Sequence, residues 1–174
     1  GLSSGESCPQ IHLTSSNQLY FSLETLGSVT ETNGGLNGDI LLGRFNLDGK
    51  LDYSFGTNGL RQFGYISSEG RAYHSDAVDD SIIDSNGNIF VTFYTFGTWG
   101  TNRSGFEDIV VAKFDSNGDI DKTFGNDGVL QIGENYLGGG KTGTDKAAAI
   151  TLDSAGNIYV TGTTNAEWDE THGG

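Results

Sequence analysis

Short apolar runs alternate with glycine-containing turns along the chain, and no stretch shows the periodicity of an amphipathic helix. The runs are rich in Ile, Val, Phe and Tyr, residue types that favour β-strands, as in Asp108–Phe114. Asn-Gly and Asp-Gly pairs between the runs supply the positive φ that tight hairpins need. Even Lys146–Ala149, the segment with the most helix-like composition, continues directly into Ile150–Leu152. The pattern therefore predicts an all-β chain without helices.

The same pattern recurs at a fixed spacing of 69 residues (108 − 39 = 69 for Asp39 and Asp108), which we call the repeat interval. Asp39–Phe45 corresponds to Asp108–Phe114, and the turn-strand segment Asp84–Thr92 corresponds to Asp153–Thr161 at the same spacing. A weaker copy at Ile11–Phe21 opens the chain, where the spacing is longer by one position. A constant register over so many positions indicates a structural repeat, and such periods are typical of solenoids and propellers.

Each repeat predicts four short strands. The second strand pair begins at Asp108–Phe114, is expected to resume around Asp119–Asp121, and is followed by a short strand at Val129–Ile132. The run Ile109–Ala112 is apolar on both faces, as expected for a strand between neighbouring sheets. Four-stranded antiparallel sheets without helices are typical of β-propeller blades. Propellers use about 4–8 blades, so about two and a half repeats predict a fragment of a larger propeller, or a ring completed by association.

The repeat also predicts the organisation of the chain. Residues 1–9 form an N-terminal extension and residues 10–64 a first, degenerate blade. Residues 76–133 form the second blade, and residues 145–174 form the first half of a third blade with a trailing loop.

Two strings within the repeat resemble known families. Phe114–Val129 resembles the delta-sixty β-propeller repeat of bacterial secreted and surface proteins, with a hairpin glycine, then Leu/Ile-Asp, then Phe-Gly-x-x-Gly; Phe45–Leu60 has the same pattern. Asp153–Gly162 resembles the related SBBP-type β-propeller repeat. The resemblance implies a blade architecture and an extracellular or cell-surface (secreted) location. It implies no catalytic residues, because these families share blade-forming residues and no common catalytic motif.

Charge restricts the partners. The chain has 9 Lys and Arg against 23 Asp and Glu, a formal net charge of −14. An acidic surface repels phosphate backbones and anionic lipid headgroups, so we expect neither nucleic-acid binding nor membrane insertion. A single cysteine, Cys8, excludes an intrachain disulfide.

Aromatic residues in the long connections are the candidate binding residues. Trp99 and Trp168 are separated by one repeat interval and therefore occupy matching places in their repeats. Aromatic rings beside amides and carboxylates suit sugar stacking or protein contact. The alternative is that the tryptophans fill gaps between blades. The full candidate set is Tyr73, His74, Trp99, Phe106, Tyr136 and Trp168.

No motif predicts a metal or cofactor. The turn Asp115–Asp121 places oxygen ligands at alternate positions, as a calcium loop does, but its glycine is at the fourth position and no twelfth-position Glu follows. The matching copy has Lys50 where a ligand would stand, so we predict a hairpin turn capped by Asp115, without calcium. Zinc spacings, nucleophile elbows, phosphate loops and dinucleotide fingerprints are also missing from the sequence.

These observations favour a non-enzymatic interaction or structural module, extracellular or on the cell surface, with a protein or glycan bound at the long-loop face. The remaining blades would come from the same or another chain. One alternative is a carbohydrate-binding propeller that uses the aromatic loops; another is a subunit of an extracellular filament or coat. A third is a glycosidase or lyase with two loop carboxylates. The carboxylates available to it are Glu107, Asp108, Glu134, Glu167 and Asp169.

Overall fold

A computed structural model describes most of the repeat and leaves out the long connections. It covers residues 9–14, 16–26, 28–30, 38–64, 77–95, 107–133 and 143–165. These residues form ten β-strands and no helix. The strands are β1 (Gln10–Leu13), β2 (Leu19–Thr25), β3 (Asp39–Phe45), β4 (Leu60–Phe63), β5 (Ala77–Ile83), β6 (Ile89–Thr95), β7 (Asp108–Phe114), β8 (Val129–Ile132), β9 (Asp145–Leu152) and β10 (Ile158–Thr164).

The strands form three antiparallel sheets that follow the sequence repeat. Blade 1 has the order β1-β2-β3-β4, blade 2 the order β5-β6-β7-β8, and β9 and β10 form a two-stranded sheet, called here the third hairpin. β3 and β7 start one repeat interval apart, as do β4 and β8, and β6 and β10. The prediction of all-β blades is therefore confirmed. The sheets of the described residues do not close into a ring, which fits part of a larger propeller.

The expectation for Asp119–Asp121 is wrong. β7 pairs directly with β8, and this segment contributes only an isolated bridge between Phe114 and Ile120. The reason is the sharp path of the loop that follows β7. The Asp121 amide donates to the Lys113 carbonyl, and the Lys113 amide donates to the Gly128 carbonyl, so the loop folds back before a strand can extend.

Blade 2 is packed on both faces. Along β6 and β7, side chains alternate between two hydrophobic cores: Val91 and Val110 face blade 1, whereas Phe90 and Val111 face the third hairpin. All four are buried. This confirms that the doubly apolar run in β7 belongs to a strand sandwiched between neighbouring sheets.

The two ends of the sheets differ. The register pairs Ala77 with Tyr94, Thr95 with Asp108, and Ile109 with Ile132, so these strand termini lie at one end of blade 2. We call it the loop end, because the segments 65–76, 96–106 and 134–142 connect to the strands of blade 2 there. The opposite, turn end carries the short hairpin turn between β5 and β6 and the longer connection from β7 to β8, residues 115–128, which is folded by its own backbone hydrogen bonds. Strand direction thus places the strand ends that flank these three segments at the same end.

Candidate functional site at the loop end

The aromatic residues chosen from the sequence lie in segments that the structure does not describe. This holds for Tyr73, His74, Trp99, Phe106, Tyr136 and Trp168, and also for Glu134, Glu167 and Asp169. Their role therefore stays a prediction. What the structure does show is the strand termini from which those segments extend.

Buried aspartates open the third strand of both blades. Asp39 and Asp108 occupy matching places in the repeat and are only 4% and 3% exposed. Each accepts a hydrogen bond from a glutamine amide of the fourth strand, Gln62 Nε2 at 2.6 Å and Gln131 Nε2 at 2.5 Å. A buried carboxylate requires such a partner. Asp108, one of the carboxylates considered for catalysis, is therefore held in a pair that recurs in blade 1.

Lys146 joins blade 2 to the third hairpin. Its Nζ lies 3.2 Å from Glu107 Oε1 and 4.3 Å from the centre of the Tyr94 ring. The Asp145 amide donates to the Glu107 carbonyl at 2.7 Å. Burial raises the pKa of the Tyr94 phenol, and Lys146 partly offsets that effect. Glu107, the second carboxylate considered for catalysis, is thus engaged by a cation.

Asp79 is a partly buried carboxyl whose pKa is strongly raised. It lies where the β5–β6 register shifts between Val78 and Asp80, and a bulge of this kind re-aims a side chain. The pKa of Asp79 is raised to about 7: burial is the largest cause, Glu107 and Asp80 add to it, and Lys146 and a backbone hydrogen bond from Ala147 oppose it. Asp79 Oδ2 is buried without a hydrogen-bond partner in the described part of the chain. No sequence signal pointed to Asp79, because Ala148 occupies the matching place in the next repeat.

Asp145 is buried beside a gap between blade 2 and the third hairpin. It is 2% exposed, and neither carboxylate oxygen has a hydrogen-bond partner among the described residues. It lines a cavity of about 330 Å³ together with Ile109, Ile132 and β10 residues 160–164. In the sequence, Asp145 has a counterpart, Asp76, at the repeat interval.

At the turn end, a cation, a carboxylate and an aromatic ring form a repeated unit. Arg44 Nε contacts Asp52 Oδ2 at 2.9 Å, and the guanidinium lies 5.6 Å from the Tyr20 ring centre. In blade 2, Lys113 Nζ contacts Asp121 Oδ2 at 2.7 Å and lies 5.7 Å from the Phe90 ring centre.

The aspartate of this unit is held in its charged form. Hydrogen bonds from Lys113 and then from Thr123 lower the pKa of Asp121 to about 2. Ser54 is the main cause of the lowered pKa of Asp52. The Asp that follows Leu or Ile in each repeat therefore holds the cation of the third strand beside the aromatic ring of the second strand.

The Asp115 turn is capped as predicted. Asp115 Oδ1 accepts the backbone amides of Asn117 at 2.8 Å and Asp119 at 3.0 Å. The Asp119 side chain contacts Arg61 of blade 1 at 3.5 Å. Within the described ranges, no group of three or more His, Cys, Asp or Glu side chains is arranged to hold a metal ion.

A second cavity, of about 660 Å³, lies between the blades at the turn end and includes His12, Tyr20 and Arg44 in its lining. The Arg44 guanidinium is already engaged by Asp52, Ser54, the Tyr20 hydroxyl and the Ser116 carbonyl. His12 Nε2 lies 2.8 Å from Ser81 Oγ, and burial lowers the His12 pKa against the opposing effect of Asp80. Because these groups are satisfied within the protein, this cavity is a weaker candidate than the loop end.

The architecture defines a repeat protein built from four-stranded β-propeller blades. Residues 128–167 match the family model of SBBP, a beta-propeller repeat. The matched stretch runs from the glycine before β8 through β9 and β10, and it confirms the SBBP-type resemblance of the third hairpin. A comparison with curated protein sequences found no match. Among the described residues, no helix is long and apolar enough to cross a membrane.

Proposed function

We propose that this repeat-based module is a non-enzymatic, extracellular or cell-surface protein that binds a protein or a glycan through the segments at its loop end. The observation that carries the proposal is the asymmetry of the sheets. At the turn end, even the long connections from β3 to β4 and from β7 to β8 are hydrogen-bonded back onto their own blade, whereas the strand ends that flank the segments with the aromatic residues lie at the loop end. Binding residues are typically carried on loops that a rigid scaffold positions.

The scaffold beneath these segments is tightly held together. At the loop end, the Asp39–Gln62 and Asp108–Gln131 pairs connect the third and fourth strands of each blade. The Lys146–Glu107 ion pair connects blade 2 to the third hairpin. These contacts favour a fixed platform from which the aromatic residues of the long segments extend.

The chemistry of the described carboxylates favours binding over catalysis. A glycosidase needs two carboxyl groups aimed at one bond. Asp108 is buried and bonded to Gln131, and Glu107 is paired with Lys146. Both therefore have a role in holding the blade together.

The charge of the chain and the resemblance to known repeats bear on its partners and on its proposed extracellular or cell-surface location. The acidic balance of 23 acidic against 9 basic residues disfavours nucleic-acid partners. The match of residues 128–167 to a propeller repeat agrees with the resemblance to repeats of secreted and surface proteins. Protease shaving of intact cells that express the protein tests the proposed location, because a surface protein is cleaved whereas a cytoplasmic marker survives.

A binding test separates the loop end from the rest of the surface. We expect the purified chain to bind members of a glycan array or a surface protein, and the Trp99→Ala/Trp168→Ala double variant to lose at least about tenfold in affinity, as for aromatic hot spots. Tyr53→Ala is the matched control, because Tyr53 is 74% exposed in the loop between β3 and β4. Equal loss in the control, or release of cleaved sugar from a bound glycan, would contradict the proposal.

A further inference from the structure

The cavity of about 660 Å³ at the turn end lies between blade 1 and blade 2. Its volume falls within the range of about 300–1,000 Å³ that is typical of small-molecule sites. The hairpin between β1 and β2 and the hairpin between β5 and β6 both line it, and the turn after β7 reaches it at Ser116. Because both flanking sheets have all four strands, the cavity belongs to a full blade-to-blade interface.

The first hairpin lacks the acidic residue that opens the other hairpin turns. Asp84 and Asp153 each accept two backbone amides with one carboxylate oxygen. Thr14 takes this place in the first hairpin, and its hydroxyl accepts the Gln18 backbone amide at 3.1 Å. The cavity is therefore lined here by a neutral hydroxyl, where the repeat otherwise has a negative charge.

Gln18 lines the cavity with a side-chain amide that is only half engaged. Its Oε1 accepts the Tyr20 hydroxyl at 3.3 Å and the Ser16 hydroxyl at 3.4 Å. Its Nε2 carries two donors and makes no hydrogen bond within the described chain. The same holds for the side chains of Ser85 and Asn86, which line the cavity from the β5–β6 turn and are exposed. The cavity thus offers neutral hydrogen-bonding groups to a ligand.

The ionisable groups that line the cavity are already engaged or neutral. The Arg44 guanidinium is paired with Asp52 at 2.9 Å, and Asp84 Oδ2 accepts the Asn88 side-chain amide at 2.7 Å. Burial lowers the pKa of His12 below its ordinary value of 6.5, against the effect of Asp80, so its ring is neutral at pH 7. The formal net charge of −14 also repels anions. These groups therefore favour a ligand without charge.

The cavity also borders the hydrophobic core that blades 1 and 2 share. Tyr20 belongs to that core, Ile83 packs against it, and both residues line the cavity. A saccharide has the same two kinds of surface, because its hydroxyl groups donate and accept hydrogen bonds while the C–H faces of its ring are apolar.

We propose that the turn-end cavity binds a neutral saccharide unit between the two blades. Gln18 Nε2 and the Asn86 side-chain amide donate to its hydroxyl groups, and an apolar face of the sugar ring packs against Ile83. The site is separate from the loop end, so the inference does not rest on the proposed function.

The test is a titration of the intact, isotope-labelled chain, followed by the NMR signals of the Gln18 and Asn86 side-chain amides. The probes are glucose, galactose, mannose, N-acetylglucosamine and cellobiose, with glucuronate and galacturonate as charged counterparts. We expect saturable shifts of both amides with at least one neutral sugar, at a dissociation constant on the order of 1 mM for a ligand of this size. The charged counterpart should bind more weakly.

Two variants remove donors from the cavity. Gln18→Glu keeps an oxygen for the Tyr20 hydroxyl and removes both Nε2 donors, so binding should weaken roughly two- to tenfold. Asn86→Ala should weaken binding by a similar factor, and the third hairpin already carries Ala155 at the matching place, so the turn accepts this change. Gln10→Glu is the control, because it makes the same chemical change at the other end of β1 and should leave the affinity unchanged.

Three results would overturn the inference: no saturable shift of either amide with any neutral sugar, equal affinity for the charged counterparts, or equal weakening by Gln10→Glu. The Trp99→Ala/Trp168→Ala variant should keep the full shifts of Gln18 and Asn86. Loss of those shifts in that variant would place the sugar at the loop end instead, so failure of the proposed function and failure of this site give different results.

Discussion

Two phenylalanines show how one residue of the repeat behaves beside a four-stranded neighbour and beside a two-stranded one. Phe55 is fully buried, lies edge-on to Tyr20 at 5.7 Å, and contacts the hairpin of blade 2 so closely that a Cβ on Gly118 would lie 2.6 Å from its ring. Phe124, its counterpart in the next repeat, lies edge-on to Phe90 at 6.2 Å but is only partly buried. The same side chain is therefore fully covered where the neighbouring sheet has four strands and only partly covered where the neighbouring sheet has two.

Phe55→Ala and Phe124→Ala should lower the free energy of unfolding by different amounts, although both substitutions delete the same atoms. We expect Phe55→Ala to lower the free energy of unfolding by about 3–5 kcal/mol, the usual range for a fully buried phenylalanine. Phe124→Ala should cost clearly less, because part of its ring is already in contact with water. Urea denaturation of both variants measures the difference. Equal costs would contradict the interface role of Phe55.

Asp79 should make stability depend on pH. Its folded pKa of about 7 lies above the ordinary value of 3.8. The folded state thus holds the proton more tightly, and this contribution to stability is full below about pH 4 and declines as pH rises through about 7. Replacing Asp79 by Asn removes the burial of a charge beside Glu107 and Asp80, although it also changes the contact with Lys146.

We expect Asp79→Asn to be more stable than the wild type at pH 8, by on the order of 1 kcal/mol because partial exposure screens the charge, and to lose that advantage at pH 4. Thermal melts across this range measure it, with the exposed Asp127→Asn as control. An advantage that grows as pH falls would contradict the assigned pKa.

At the scale of elements, capped hairpins repeat from blade to blade. Asp84, Asp115 and Asp153 each use Oδ1 to accept two backbone amides of the turn that they open. The glycines that close these turns, such as Gly118 at φ 84°, adopt a backbone conformation that other residues rarely take. These local bonds fix the turn and, through it, the register of the two strands on either side.

Asp115 and Asp119 should contribute unequally to the free energy of unfolding. We expect Asp115→Ala to cost about 1 kcal/mol or more, because two backbone amides lose their acceptor. Asp119→Ala should stay within about 1 kcal/mol, because its side chain is exposed and makes one ion pair with Arg61. Urea denaturation of the two variants measures both costs, and a larger loss for Asp119→Ala would contradict the capping role of Asp115.

Calcium should not change the melting temperature of either the wild type or Asp119→Ala. Calorimetric scans with calcium and with a chelator check this. A large increase with calcium that Asp119→Ala abolishes would instead assign a cation site to the turn.

At the scale of the whole molecule, blade 1 has an apolar face against which no other described sheet packs. Its strands carry apolar side chains at the positions where blade 2 buries its own against blade 1. Leu19, Phe21, Leu23, Leu41, Phe45 and Leu60 match Ile89, Val91, Phe93, Val110, Phe114 and Val129. At the edge of this face, Ile11 and Leu13 are 69% and 67% exposed. Such a surface favours association, because covering it removes apolar area from water.

We expect the Ile11→Lys/Leu13→Lys variant to self-associate less than the wild type while its melting temperature changes little, because both side chains are already exposed. Sedimentation equilibrium over a range of concentrations measures the association, and Leu47→Lys is the control, since Leu47 is 75% exposed in a turn. Equal association of all three proteins would show that this face is not the contact.

The local pattern of the chain determined the elements and their repetition. Alternating apolar runs, hairpin glycines and turn aspartates act over short stretches of sequence, so the strands, the capped turns and the repeat interval were predictable. The pairing of β7 with β8, in place of a strand at Asp119–Asp121, depended on the fold-back at Lys113 and was decided by tertiary contacts.

The environment of single residues was decided by which blade lies beside them. Phe55 and Phe124 occupy matching positions, yet only Phe55 is fully buried. Asp79 and Lys146 come from different sheets, and nothing in their spacing predicts that one affects the pKa of the other. The proposed aromatic residues were chosen from the repeat alone and lie outside the described residues. Sequence neighbours specify a turn or a strand, but burial and charge environment depend on residues distant in the chain, because separate sheets must first pack together.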